Sequence, residues 1–248
     1  MEIQILGSGT CIPSDRRGSS GYLITLDSTK ILFDCGNGVT WKLEKSGINY
    51  LDIDHIFITH MHPDHNADLI PFLFATKYPA EEQRTNKLSL WGPPGFNEFV
   101  RSMQELYENW LNPDNTEFLE LDKENFNFDE FNFSVLKTGH TENSLAFRLE
   151  SMGKSIVYSG DTDYFAPFVN FARDCDVLII ECSLPDRLKR KGHLTPSDVI
   201  KISNLANPGI LVLTHMYPVC DSENIFEKID NETACEVVLG EDFLRISI

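Results

Sequence analysis

No apolar run in this chain approaches the ~20 residues that a helix needs to cross a bilayer. The N-terminus, Met1-Glu2-Ile3-Gln4-Ile5-Leu6-Gly7, lacks the basic start and long apolar stretch of a secretory signal. A soluble, cytoplasmic protein without membrane contact is therefore expected. The six cysteines, Cys11, Cys35, Cys175, Cys182, Cys220 and Cys235, form no C-x-x-C pair. That excludes a zinc knuckle and, in a non-exported protein, argues against a disulfide framework, so most should be buried thiols. Positive charge is scarce: 21 Lys and Arg face 38 Asp and Glu, for a net charge of −17. Nucleic-acid binding usually draws its affinity from Lys and Arg on phosphates. Here the densest basic run is Arg187-Leu188-Lys189-Arg190-Lys191. Long-range steering of a polyanion would be poor, although a local basic patch remains. No repeat, low-complexity tract or linker interrupts the sequence, which reads as one domain over residues 1–248.

What is present is an ordinary globular complement, 42% hydrophobic and 24% charged, enough to bury a full core. Short β-type runs are expected at residues 2–6, 22–26, 30–33, 55–58, 87–91, 117–121, 131–136, 145–149, 155–158, 177–180, 210–213 and 243–248. Helical patterns fall at 39–46, 67–76, 96–111, 166–173, 196–205 and 222–229. Thr195 is placed to cap the fifth of these, with Pro196 in its first turn and Asp198 partly completing a capping box. Strand-rich halves with interspersed helices suggest two packed sheets covered by helices outside. Thr59 and Thr214 each follow an apolar strand and each precedes a histidine. That repeated arrangement is the first sign of a common site.

The segment His60-Met61-His62-Pro63-Asp64-His65 packs three imidazoles and a carboxylate into six residues. Neutral imidazole and carboxylate suit zinc, with manganese or iron as alternatives, and a turn after a strand can fan ligands toward two centres. A His-rich surface loop is the bland alternative, but polar groups so close to an apolar strand need satisfaction. Three more candidates each follow a strand-like run: His140 after Thr138-Gly139, Asp161 after Ser159-Gly160, and His215 after Thr214. Alone, each has a dull explanation as a surface histidine or a Gly-Asp turn. Their shared placement makes them a set.

His60-x-His62-x-Asp64-His65, followed in order by His140, Asp161 and His215, resembles the metallo-β-lactamase superfamily over nearly the whole chain. Gly7-Ser8-Gly9-Thr10 and Leu32-Phe33-Asp34-Cys35-Gly36 resemble its early strand-and-turn signatures. The resemblance implies an α/β fold, the αββα four-layer sandwich, with the site at one edge between the sheets. It also implies two divalent ions, the first held by His60, His62 and His140, the second by Asp64, His65 and His215, with Asp161 bridging. Hydrolysis by a hydroxide held between the ions would follow, with Asp64 orienting it.

Within that superfamily the sequence is most similar to the ribonuclease Z and phosphodiesterase branch. Pro13-Ser14-Asp15-Arg16-Arg17-Gly18 resembles the branch's P-x-K-x-R-N loop, Ile180-Glu181-Cys182-Ser183 its H-E-A-T loop, and His193-Leu194-Thr195 its H-S-T loop. The resemblance makes His193 the proton donor to the leaving oxygen, tuned by Glu181. A surface histidine after Lys191-Gly192 is the alternative. The departures matter too: Asp15, Gly18, Ile180 and Leu194 replace the lysine, asparagine, histidine and serine of those loops. Only twenty residues separate His140 from Asp161, enough for a hairpin turned at Met152-Gly153 and too few for a tRNA-gripping arm. The reading is thus a metal-dependent hydrolase of small or unidentified phosphodiesters, with long nucleic acid disfavoured and homodimerisation suggested by the ribonuclease resemblance. The alternatives are tRNA 3′-end processing, hydrolysis of an ester, lactone or sulfate, and a non-enzymatic metal-binding scaffold.

Overall fold

The computed structural model describes residues 1–81 and 83–248. In chain order its strands are β1 (Glu2–Gly7), β2 (Gly21–Thr25), β3 (Lys30–Phe33), β4 (His55–Phe57), β5 (Leu88–Gly92), β6 (Thr116–Glu120), β7 (Asn125–Asn127), β8 (Asn132–Lys137), β9 (Leu145–Ser151), β10 (Lys154–Tyr158), β11 (Val177–Glu181), β12 (Ile210–Thr214), β13 (Glu236–Leu239) and β14 (Arg245–Ser247). They form two seven-stranded sheets, ordered β14-β1-β2-β3-β4-β5-β6 and β13-β12-β11-β10-β9-β8-β7. Each sheet mixes an antiparallel part with a parallel part: β3 to β6 run parallel in the first, β10 to β13 in the second.

Side-chain alternation builds the layers. Ile3, Ile5, Tyr22, Ile24, Phe33 and Phe57 of the first sheet meet Phe133, Phe147, Tyr158, Ile179 and Val212 of the second in one buried cluster. Their neighbours on the same strands point the other way. Leu6, Leu23, Leu32 and Ile56 pack under helices α1 (Val39–Lys45), α3 (Leu69–Lys77) and α4 (Phe96–Tyr107). Leu178, Ile180, Leu211 and Leu213 pack under α5 (Ala166–Phe171), α6 (Pro196–Ala206) and α7 (Ile225–Glu232). Strands buried on both faces and covered by helices on the outside make an αββα sandwich, as expected.

The local signals resolve as caps and turns. Thr195, Asp198 and Pro196 form the capping box and first turn of α6, and Asn207 ends it in the left-handed region. Met152 and Gly153, both at positive φ, turn the β9–β10 hairpin, the geometry that suits the strand twist. The helix expected over 96–111 is shorter: α4 stops at Tyr107, and Glu108 at φ 54° opens a 3₁₀ turn over Glu108–Leu111. The segment expected to start at 67 begins at Leu69, preceded by a four-residue helix, α2 (Pro63–Asn66). Asp68 serves another helix instead: its carboxylate accepts from the Gly38 and Thr40 amides at 2.9 and 2.8 Å, at the start of α1. All six cysteines are free and four are buried. Among the described residues no helix is long and apolar enough to cross a membrane.

Candidate active site

Ligands of open α/β sheets gather beyond the carboxyl ends of parallel strands, and here two sheets offer such ends together. The first contributes Asp34 after β3 and residues 59–65 after β4. The second contributes His140 after β8, Asp161 after β10, Glu181 at the end of β11 and His215 after β12. Asp34 and His215 take left-handed φ values of 56° and 52°. Such backbone costs non-glycine residues about 1–3 kcal/mol and persists only where surroundings enforce it.

All seven candidate ligands meet. His60, His62, His140 and Asp161 place ligand atoms within 4.8 Å of one another, and so do Asp64, His65 and His215. The Asp161 carboxylate divides between the groups. Its Oδ2 lies 3.7 Å from the Nε2 atoms of His60 and His140. Its Oδ1 lies 3.4 Å from the Nε2 atoms of His65 and His215, and the latter is also 3.4 Å from Asp64 Oδ2. The imidazoles are fastened from behind: His60 Nδ1 to the Thr59 hydroxyl at 3.0 Å, His65 Nδ1 to Asp34 at 2.6 Å, and His140 Nδ1 to the Gly192 carbonyl at 2.9 Å. Asp34 also accepts from the Thr59 amide at 2.8 Å and the Tyr158 hydroxyl at 2.7 Å, so the two sheets share one buried carboxylate.

The front of the cluster behaves oppositely. The Nε2 atoms of His60, His65 and His215 and the Oδ1 of Asp161 are buried without a hydrogen-bond partner. Each such atom costs about 1–3 kcal/mol, and their grouping about Asp161, His60 on one side and His65 and His215 on the other, fits divalent cations as the missing partners. The cluster can therefore hold divalent metal. Burial drives the His60 pKa well below its ordinary value and lowers that of His140, which favours their neutral, lone-pair forms. Burial opposes charge on His65 too, but Asp161 and Asp34 outweigh it and hold that imidazole well above its usual range. Burial would raise Asp64; the His215 hydrogen bond and the His65 charge overcome it and hold the carboxyl far below.

His193 lies beside this cluster, half buried, its ring stacked at 5.8 Å on His215 and 4.7 Å from His140. Its Nδ1 bonds the fully buried Glu181 carboxylate at 3.1 Å. Burial works against protonation of His193, and Glu181 overrides it, so the pKa is raised. Burial likewise pushes the Glu181 carboxyl up, against the His193 hydrogen bond. The loop that presents His193 is held by Asp163, which accepts from the Gly192 amide at 3.0 Å and from Lys189 at 2.8 Å. In the sequence Asp34 and Thr59 carry no mark of these roles, nor do Asp163 and the Gly192 carbonyl. Asp34 stood in a recognised signature, whereas nothing local marks the other contacts.

In sequence the chain is similar to the ribonuclease Z of Picrophilus torridus, 26% identical over 86% of this chain and 85% of that protein. In structure it is similar to the short form of human tRNase Z (TM-score 0.81, 27% identity, 100% and 99% of the two chains). It shares its fold with the metallo-β-lactamase-fold protein YhfI of Bacillus subtilis (TM-score 0.84, 24% identity, 99% of each). A family model described as anti-Pycsar protein Apyc1 matches residues 1–215. The chain is a ribonuclease Z-like, metal-dependent hydrolase with the metallo-β-lactamase fold, and it belongs to the family of the anti-Pycsar protein Apyc1.

Proposed function

We propose that the chain hydrolyses phosphodiester bonds of small substrates, with two divalent ions, zinc by preference, as its cofactors. The observation that carries the reading is the division of Asp161 between two groups of imidazoles, beside a histidine backed by a buried carboxylate. His60, His62 and His140 would hold one ion, Asp64, His65 and His215 the other, and Asp161 both. Ions held there would supply Lewis-acid chemistry, lowering the pKa of water and offsetting charge on the phosphoryl oxygens. Asp64 accepts from the Cys11 amide at 3.2 Å and has a second oxygen with which to orient the attacking water. His193 gives its Nε2 proton to the leaving oxygen while Glu181 holds the Nδ1 proton and fixes the ring.

The substrate's place is the cavity of about 380 Å³ lined by His60, Met61, His62, Pro93, Pro94 and Thr141. A larger cleft of about 670 Å³, at Arg16, Trp41 and Phe243, contains none of the candidate site residues, so chemistry outweighs size here. Small substrates are favoured because both arginines of the Pro13–Gly18 loop, and Arg187 of the basic run, are already engaged. Arg17 is buried against Asp221 and the Gly240 carbonyl. Arg16 pairs with Asp221 and Glu241, and Arg187 with Glu223. The tight β9–β10 hairpin leaves no arm between His140 and Asp161.

Incubation with bis-p-nitrophenyl phosphate, with and without chelator, beside a 3′-extended precursor tRNA, tests the reading. Chelator-sensitive cleavage of the small diester with weak action on the tRNA is expected. Efficient cut at the acceptor-stem end would make it a tRNA-processing nuclease, and no turnover of any phosphodiester would end the proposal.

A further inference from the structure

We propose that Ser183 is a positioning residue that sets the tautomer of the second-ion ligand His215 through Glu181, the same carboxylate that backs the proton donor His193. The inference rests on the metal reading above and adds a device to it. Ser183 is fully buried, and its Oγ bonds Glu181 Oε2 while lying 2.9 Å from His215 Nδ1 and 3.4 Å from His193 Nδ1. An ionised carboxylate only accepts. The other oxygen of Glu181 takes the Thr162 amide at 2.5 Å, and Oε2 takes His193 Nδ1 as well, at 3.1 Å. The single proton of Ser183 is therefore directed to Glu181, and its lone pair is left for a donor. That donor is His215 Nδ1–H.

A neutral imidazole carries its proton on one nitrogen. Placing it on Nδ1 leaves a lone pair on His215 Nε2, the buried, unpartnered atom 3.4 Å from both Asp64 and Asp161. The bonds run from His215 to Ser183 to Glu181, and from His193 to Glu181. The other fastened ligands differ: His65 reaches Asp34 directly, His60 reaches that same carboxylate through the Thr59 hydroxyl, and His140 reaches a backbone carbonyl. His215 alone among these shares its carboxylate with the proton donor. The backbone of Ser183 ties the same two segments, its amide donating to the Leu194 carbonyl and its carbonyl accepting from the Tyr217 amide, both at 3.1 Å. Loss of the hydroxyl thus leaves these links intact.

The test is Ser183→Ala beside Ser183→Thr, with zinc affinities measured by competition against a chromophoric chelator. The alanine variant should weaken the second zinc by roughly 10–100-fold, the usual effect of removing an outer partner of a metal ligand, and leave the first unchanged. On a diester with a poor leaving group, kcat should fall while KM holds. Threonine should restore both readouts. Unchanged affinities in the alanine variant, equal weakening of both ions, or failure of a folded threonine variant to rescue would overturn the proposal. So would a parent chain that binds a single zinc, together with the two-ion reading. Selective loss of the second zinc in a chain that cleaves no phosphodiester would refute the proposed reaction and leave the role of Ser183 standing.

Discussion

The two sheets deliver the site in different ways. The first supplies four of the seven candidate ligands from one loop, His60 to His65, folded over the short helix α2. The second supplies three, one from each of three strand ends separated by helices and turns. A loop fixes its ligands through local backbone. Strand ends fix theirs only when register is correct across β8, β9, β10, β11 and β12. The first half is therefore compact in sequence and tolerant of sheet distortion, and the second is dispersed and depends on the whole layer. Asp161 and Asp34 are where the halves are tied together.

The sharpest break is at Asp161. Asp161→Ala should reduce metal content from two ions per chain to one or none, and turnover by ~10³-fold or more, since several kcal/mol of charge stabilisation is lost. Elemental analysis and steady-state rates measure both, and retention of two ions would mean that the halves bind independently. Next comes the proton donor proposed on the second sheet. His193→Ala should cost roughly 10²–10⁴-fold with a poor leaving group and far less with p-nitrophenolate, at unchanged metal content. Equal losses on both substrates would make His193 structural.

Gly160 tests the contact between the sheets. It sits at φ +52°, and a Cβ there would lie 2.7 Å from the Leu145 carbonyl and 3.0 Å from Thr59 Cγ2, across the interface. Gly160→Ala should therefore destabilise the fold by about 1–3 kcal/mol, read from the urea midpoint, and disturb both ligand sets. An unshifted midpoint would show that the strand ends have more slack than this packing allows.

The smallest effect concerns the loop before His193. Burial would raise the Asp186 carboxyl, but Lys228, Thr195 and Ser197 pull it down to about 2. A depressed carboxyl stabilises the fold above its unfolded value and loses that contribution as pH falls from there towards 2. Asp186 and Lys228 are each 39% exposed, so solvent screening holds the gain to ~1 kcal/mol or less. Asp186→Asn should lower Tm slightly at pH 7, and its deficit should shrink below pH 4. A deficit that does not depend on pH would assign the loss to geometry rather than charge.

The same contrast explains how much was legible beforehand. The α6 cap, the β9–β10 turn and the residues buried by alternation were readable because each depends on neighbours one to four positions away. The His60–His65 cluster was readable for the same reason. The shortened α4 was not, since its end is set by the backbone of Glu108 and no proline or glycine marks it. Nor was Asp68, which caps a helix some thirty residues earlier in the chain.

By itself, then, the sequence determined most of the strands and helices (not β7, β13 or the short α2), the residue types for metal chemistry and their order along the chain, because periodicity and motif spacing are local properties. The tertiary structure alone decided that the oxygens of Asp161 face two different imidazole groups. It also decided that Asp34 joins the sheets and that Ser183 links His215 to Glu181. Such contacts span tens to more than a hundred residues, and only the packing of one sheet on the other brings their atoms within hydrogen-bond reach.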